Sequence, residues 1–145
     1  MNSLVTYLFP VSAELFMLVA ICFILMVGVF NKKSEDFCYY LAQLSLLGAA
    51  YLTWHVFSIN MATGHETLLV FHDGFMLDKL AVCLKMMIFV GGYLTFMYAR
   101  SYNECFQLPA VEYYVLCLFS ILGMMVLVSS YNFLSLYLGL ELMSL

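Results

Sequence analysis

Charged side chains are scarce in this sequence. Only 10% of the residues are Asp, Glu, Lys or Arg, and five basic residues are set against nine acidic ones. A nucleic-acid-binding surface requires clustered Lys and Arg, which a net charge of −4 with so few basic residues does not supply. We therefore expect no nucleic-acid partner.

The sequence also lacks the usual motifs of metal and redox sites. The five cysteines are Cys22, Cys38, Cys83, Cys105 and Cys117. They form no Cys-x-x-Cys pair and most lie in apolar runs, which favours small buried hydrophobic residues over metal ligands or disulfides. His65 and His72 have a spacing that matches no zinc signature. Since no iron–sulfur, haem or dinucleotide motif is present either, we expect no metal and no cofactor in this chain.

Apolar residues are abundant instead. They make up 66% of the chain, and the mean hydropathy is +1.01. Soluble domains contain about 45–50% apolar residues, so the composition indicates an integral membrane protein. No basic residue precedes the first apolar stretch and further spans follow it, which favours a retained first helix over a cleaved signal peptide.

The apolar runs predict an all-α, polytopic transmembrane helical bundle. We expect one transmembrane region with four complete spans and the start of a fifth, at about residues 10–30, 37–59, 78–99, 110–128 and 133–145. Residues 60–77 are too polar to span, but Leu68–Phe71 can form a short surface strand. Residues 100–109 are predicted to be a polar connection.

The fifth predicted span is short. Its thirteen residues are fewer than the roughly 20 needed to cross a bilayer core of about 30 Å. We expect the remainder of the subunit to lie beyond Leu145 in a longer protein, or in another chain if the gene is split or degraded.

Basic residues predict the orientation in the membrane. Lys32 and Lys33 lie in the first loop and Arg100 lies in the third. The positive-inside rule places these loops in the cytoplasm, or its mitochondrial equivalent, and the N-terminus outside.

Glu141 lies within the last apolar run. A carboxylate at this position costs roughly 2.5–3.5 kcal/mol on insertion scales. Tyr137 and Ser144 are four residues before it and three after it, so all three share one helix face, and the neighbouring Gly139 permits close helix approach. The functional interpretation is a proton-relay or ion-pathway carboxylate supported by Tyr137 and Ser144, and the structural one is a permanent ion pair.

Other ionisable residues allow two interpretations each. Lys85 either extends its ammonium group to the membrane surface or pairs with a carboxylate inside the bundle. Glu14 is expected to mark the membrane surface near the start of the first helix. His55, beside Trp54, is expected to be an interfacial histidine.

The segment from Glu112 to Leu145 resembles helices four and five of an antiporter-like membrane subunit of respiratory complex I, called subunit N in bacteria and subunit 2 in mitochondria. Pro10-Val-Ser-Ala-Glu-Leu-Phe16 is similar to the Pro-Glu opening of that subunit, and Asp78 to Lys85 is similar to its entry into helix three. The most specific feature is the ending Leu-Glu-Leu-Met-Ser-Leu, because sister subunits usually have tryptophan where this chain has Leu140.

The resemblance implies a proton-pumping subunit of NADH:quinone oxidoreductase, in which Glu141 pairs with a lysine of a later helix. It implies that NADH, FMN, iron–sulfur clusters and quinone are bound by other subunits. The expected partners are the other membrane subunits of complex I, the lipid bilayer and the remainder of the subunit after Leu145. The expected location is the bacterial inner membrane, with the mitochondrial inner membrane as the alternative.

The sequence is also compatible with two other functions. One is a subunit of a related multisubunit cation/proton antiporter or membrane hydrogenase. The other is a structural membrane anchor in which Glu141 only makes a packing ion pair.

Overall fold

The computed structural model describes residues 11–30, 35–62, 68–70, 75–77, 79–106 and 110–144. These residues form five helices and two short strands. The elements are α1 (Ser12–Phe30), α2 (Glu35–Ala62), β1 (Leu68–Val70), β2 (Phe75–Leu77), α3 (Lys79–Phe106), α4 (Ala110–Ser129) and α5 (Phe133–Ser144). The predicted all-α helical bundle is confirmed, with a small hairpin as its only sheet in this part of the chain.

The hairpin lies in the predicted polar segment between the second and third helices. β1 and β2 pair antiparallel, with Leu68 opposite Leu77 and Val70 opposite Phe75. The predicted short strand is confirmed over Leu68–Val70, while Phe71 lies outside the described residues.

The first four helices form an antiparallel bundle. α1 packs on α2, α2 on α3, α3 on α4, and α4 back on α1. α2 and α4 also touch each other across one diagonal of the bundle. α1 and α3 therefore lie at opposite corners, at the two ends of the other diagonal. We call the end where α1, α3 and α5 begin the near end, and the opposite end the far end.

The bundle core is built from apolar side chains that reach almost complete burial. Met17, Leu46, Phe96, Leu118 and Met125 are each at most 1% exposed. Large apolar residues such as Val29, Leu44 and Met87 are instead exposed on the outside of the bundle. Because apolar surface is costly in water, this distribution fits a lipid environment around the bundle.

α5 packs mainly on α4 through two glycines. The backbones approach so closely that a Cβ atom built on Gly139 would lie 3.0 Å from the Leu127 nitrogen and 3.1 Å from the Gly123 oxygen. A Cβ atom on Gly123 would lie 2.7 Å from the Met143 nitrogen. The predicted close approach at Gly139 is therefore confirmed, with Gly123 as its counterpart.

The number of apolar spans differs from the prediction of four complete ones. Among the described residues, three helical segments are long and apolar enough to cross a membrane: Ser12–Phe30, Lys79–Tyr102 and Val111–Ser129. α2 forms over the predicted second span but is less apolar. It contains Ser45 and Thr53, whose buried hydroxyls donate hydrogen bonds to backbone oxygens of their own helix over 2.7 and 2.8 Å.

The predicted end of the third helix near residue 99 is wrong, because α3 continues to Phe106. No proline interrupts the chain before Pro109, and Arg100 is held against the start of α2. Its guanidinium donates to the Asp36 carboxylate over 3.1 Å and lies 4.9 Å from the centre of the Tyr39 ring. This contact places Arg100 beside the start of α2, at the far end of the bundle.

The turn between α4 and α5 agrees with the prediction. α4 ends at Ser129 and α5 begins at Phe133. The backbone oxygen of Asn132 accepts a hydrogen bond from the Leu136 nitrogen over 3.0 Å. This is the first hydrogen bond of the helix, which the carbonyl of an N-cap residue accepts, so Asn132 is the N-cap of α5.

Candidate functional site

A buried ion pair lies at the near end of the bundle. The Lys85 ammonium of α3 donates a hydrogen bond to Oε1 of Glu14 in the first turn of α1. Lys85 is 0% exposed and Glu14 is 6% exposed. The pair thus joins the two helices on opposite corners of the bundle, across its interior.

This arrangement decides between the two interpretations of Lys85. Its side chain does not extend to the surface but pairs with a carboxylate inside the bundle. Glu14 lies in the first turn of α1, as expected, but its side chain is buried and paired rather than exposed. A lone carboxylate is costly away from water, and the ammonium of Lys85 provides the opposite charge that allows its burial.

Three buried oxygens at the near end have no hydrogen-bond partner among the residues that the structure describes. They are Oε2 of Glu14, Oγ of Ser12 and Oγ of Ser129. Ser12 is the first residue of α1, and Ser129 is the last residue of α4, the helix that packs on both α1 and α3. The ion pair is therefore accompanied by further polar groups at the same end of the bundle.

Glu141 is located elsewhere, on α5. It is exposed, whereas Gly139 is buried against α4 and the partly buried Leu142 packs against the core. At about 100° per residue, Glu141 points away from the α4-facing side of its helix. As the ninth residue of α5, it lies roughly 12 Å along the helix axis at about 1.5 Å per residue.

Tyr137 and Ser144 accompany Glu141 on this outward side. Tyr137 is 65% exposed, and Ser144 is exposed as well. The Ser144 hydroxyl donates to the backbone oxygen of Glu141 over 2.9 Å, not to its carboxylate. The predicted polar face is present in the helix, and helices α1–α4 do not cover it.

The described residues contain no group of three or more His, Cys, Asp or Glu side chains placed to hold a metal ion. His55 is exposed on α2, beside the ring of Tyr51. His65 and His72 lie outside the described residues.

Sequence reasoning missed the pairing of Glu14 with Lys85 and the two serines. The pairing could have been predicted from the direction of the two helices and from the depth of each charged residue along its helix. Glu14 is the third residue of α1 and Lys85 the seventh of α3, and both helices begin at the near end. Opposite charges at similar depth from one end of a bundle are candidates for pairing.

A bundle of apolar helices with a buried ion pair and a carboxylate on an outer helix defines a polytopic membrane protein that carries ionisable groups inside its apolar region. Its sequence is similar to NADH-quinone oxidoreductase subunit N of Coxiella burnetii, with 45% identity over 136 residues that cover 94% of this chain and 28% of that protein. The corresponding protein of Thioalkalivibrio sulfidiphilus is 44% identical over 137 residues, covering 94% of this chain and 27% of that protein.

A third relative, NADH-quinone oxidoreductase subunit N of Azoarcus sp. strain BH72, is 36% identical over 146 residues and covers 100% of this chain. Over nearly its whole length the chain is thus similar to NADH-quinone oxidoreductase subunit N proteins. It spans 28% of the length of that relative. No family model matches the chain.

Proposed function

We propose that this chain is part of a proton-translocating membrane subunit of NADH-quinone oxidoreductase, with Glu141 as an intramembrane proton-relay carboxylate. The observation that carries the proposal is the outward position of Glu141 in a chain similar to subunit N proteins. A charged group facing lipid at this depth is costly. We infer that further polar helices of the same subunit cover the face formed by Tyr137, Glu141 and Ser144.

The chemistry of such a relay is proton transfer at the carboxylate of Glu141. A cation close to a buried carboxylate favours its charged form, and removal of that cation favours protonation. A lysine on a later helix, moved by a conformational change, would therefore control when Glu141 takes up and releases a proton. No electron passes through this carboxylate.

The redox reaction belongs to other parts of the complex in this proposal. NADH, FMN, the iron–sulfur clusters and quinone are bound by other subunits, and their electron transfer drives the conformational change. The partners are the other membrane subunits, the remainder of this subunit and the lipid bilayer. The relatives come from bacteria, which supports the bacterial inner membrane as the location.

Complementation tests the proposed function. The full-length gene is introduced into a bacterium that lacks its own subunit N, and the proton gradient formed by inverted membrane vesicles on addition of NADH is measured. We expect the gradient to return together with NADH:quinone reductase activity.

Two outcomes would contradict the proposal. Cation/proton exchange without any NADH-dependent gradient would instead support a multisubunit antiporter. Restored quinone reduction with no proton gradient would leave only a structural anchor. An empty vector and the host's own subunit N serve as the two controls.

A further inference from the structure

We propose that Glu14 and Lys85, with Ser129 of the neighbouring helix, form a second protonatable site, a hydrated one, at the near end of the bundle and separate from Glu141. The proposal rests on the proposed function for its role in proton translocation. Its ligands are water and the proton that water delivers. The site would take up a proton on Glu14 when Lys85 moves away from the carboxylate, and release it when Lys85 returns.

The first argument is the position of the pair. α1 and α3 occupy opposite corners of the four-helix bundle, and the side chains of Glu14 and Lys85 meet between them. α2 and α4, in contrast, touch across the other diagonal. The ion pair therefore links two helices that pack on the same neighbours but little on each other.

The second argument is the unused hydrogen-bonding capacity. Glu14 Oε2 and the Ser12 and Ser129 hydroxyls are buried without a partner in the described part of the chain. An unsatisfied buried polar group costs roughly 1–3 kcal/mol, and such groups commonly bind buried water. Water bound to Oε2 would satisfy this oxygen and connect Glu14 to a proton source.

The third argument is the charge at the site. A metal cation is disfavoured because the Lys85 ammonium already neutralises the carboxylate. Neutral water meets no such repulsion. Oε2 is the free oxygen of the carboxylate, so a proton delivered by water forms the carboxylic acid there once Lys85 has moved away from Oε1.

The surroundings limit where the proton can come from. Deeper in the bundle, Met17, Phe89 and Met125 lie about one turn from Glu14, Lys85 and Ser129 and are at most 4% exposed. These apolar side chains separate the polar groups from the rest of the core. Access is therefore from the near end, where the titratable His55 and Lys79 are exposed.

A double substitution separates a protonatable site from a merely structural ion pair. Glu14→Gln combined with Lys85→Met removes both charges and leaves no unpaired one behind, so assembly is expected to persist. The variant is made in the full-length subunit within the complex, and protons translocated per NADH oxidised are measured in sealed vesicles. We expect NADH oxidation to be retained and the proton yield to be lost.

The matched control neutralises an exposed ion pair at the far end, with Asp36→Asn and Arg100→Gln. It should leave the proton yield unchanged. A Glu14→Gln/Lys85→Met complex that pumps like the wild type would overturn the second site. A wild-type complex that does not pump would instead defeat the proposed function itself.

Two further measurements keep the proposal testable should the double variant fail to assemble. Ser129→Ala retains the ion pair, and we expect it to slow proton translocation because water loses one of its partners. Infrared titration of wild-type protein against Glu14→Gln should reveal the carboxylic-acid band of Glu14. An unchanged rate, or the absence of that band, refutes the site.

Discussion

Lys85 is a fully buried charged side chain in a largely apolar interior. Its ammonium is held by Glu14, so each charge is tolerated because of the other. Removal of one partner from a buried pair is strongly destabilising, since the remaining charge lies away from water without compensation.

We predict that Lys85→Met lowers the free energy of unfolding by about 3–5 kcal/mol, the range for breaking a buried pair. Thermal unfolding of the detergent-solubilised full-length protein measures this effect. Arg100→Gln, at an ion pair with 36% and 78% exposed side chains, should cost about 0–1 kcal/mol. Equal decreases in the free energy of unfolding for the two variants would show that the burial of the Lys85 ion pair makes no difference to stability.

Residue-level prediction from the sequence succeeded where the information is local. The shared face of Tyr137, Glu141 and Ser144 follows from helical periodicity alone. The partner of Lys85 depends on which helices lie on opposite corners of the bundle, and no spacing within one helix contains that information. The burial of the Ser12 and Ser129 hydroxyls depends on the packing of α1, α3 and α4, so it could not be predicted from the sequence.

At the scale of the elements, the contact between α4 and α5 depends on the absence of two side chains. Gly123 and Gly139 bring backbone against backbone, as small residues do in membrane helix pairs. A methyl group at either position meets backbone atoms, which cannot move aside as a flexible side chain can.

We predict that Gly123→Ala lowers the free energy of unfolding by about 1–3 kcal/mol through overpacking, and that Gly139→Ala acts in the same direction. Gly91→Ala is the matched control, because no described atom lies within 4 Å of its added Cβ. That change should be neutral or stabilising by up to about 1 kcal/mol, since alanine favours helix. Unfolding midpoints that fall equally for all three would refute the close contact.

The helix boundaries show which signals at this scale are reliable. The turn at Ser129 and the start of α5 at Phe133 were predictable from a polar cluster between two apolar runs. The end of α3 was not, because hydropathy falls at Arg100 while the helix itself continues to Phe106. Hydropathy indicates which part of a helix lies in the membrane. The helix itself continues until its backbone hydrogen bonding is interrupted.

At the scale of the whole molecule, α1–α4 form a closed bundle and α5 lies on its outside, against α4. The ion pair is internal to the bundle, while the polar face of α5 points away from it. The two sets of ionisable groups therefore face different surroundings. In the proposed function, the face of α5 is the surface on which the remainder of the subunit packs.

The proposed proton translocation depends most on Glu141, the residue proposed to carry the proton. The direct test is the number of protons translocated per NADH oxidised by sealed vesicles containing the full complex with Glu141→Gln. Glu112→Gln is the matched control, because Glu112 is an exposed carboxylate in the first turn of α4, at the far end.

Native gels must show that both variant complexes assemble. We predict that Glu141→Gln keeps quinone reductase activity and loses proton translocation, while Glu112→Gln retains both. A Glu141→Gln complex that assembles and translocates as many protons per NADH as the wild type would contradict the account.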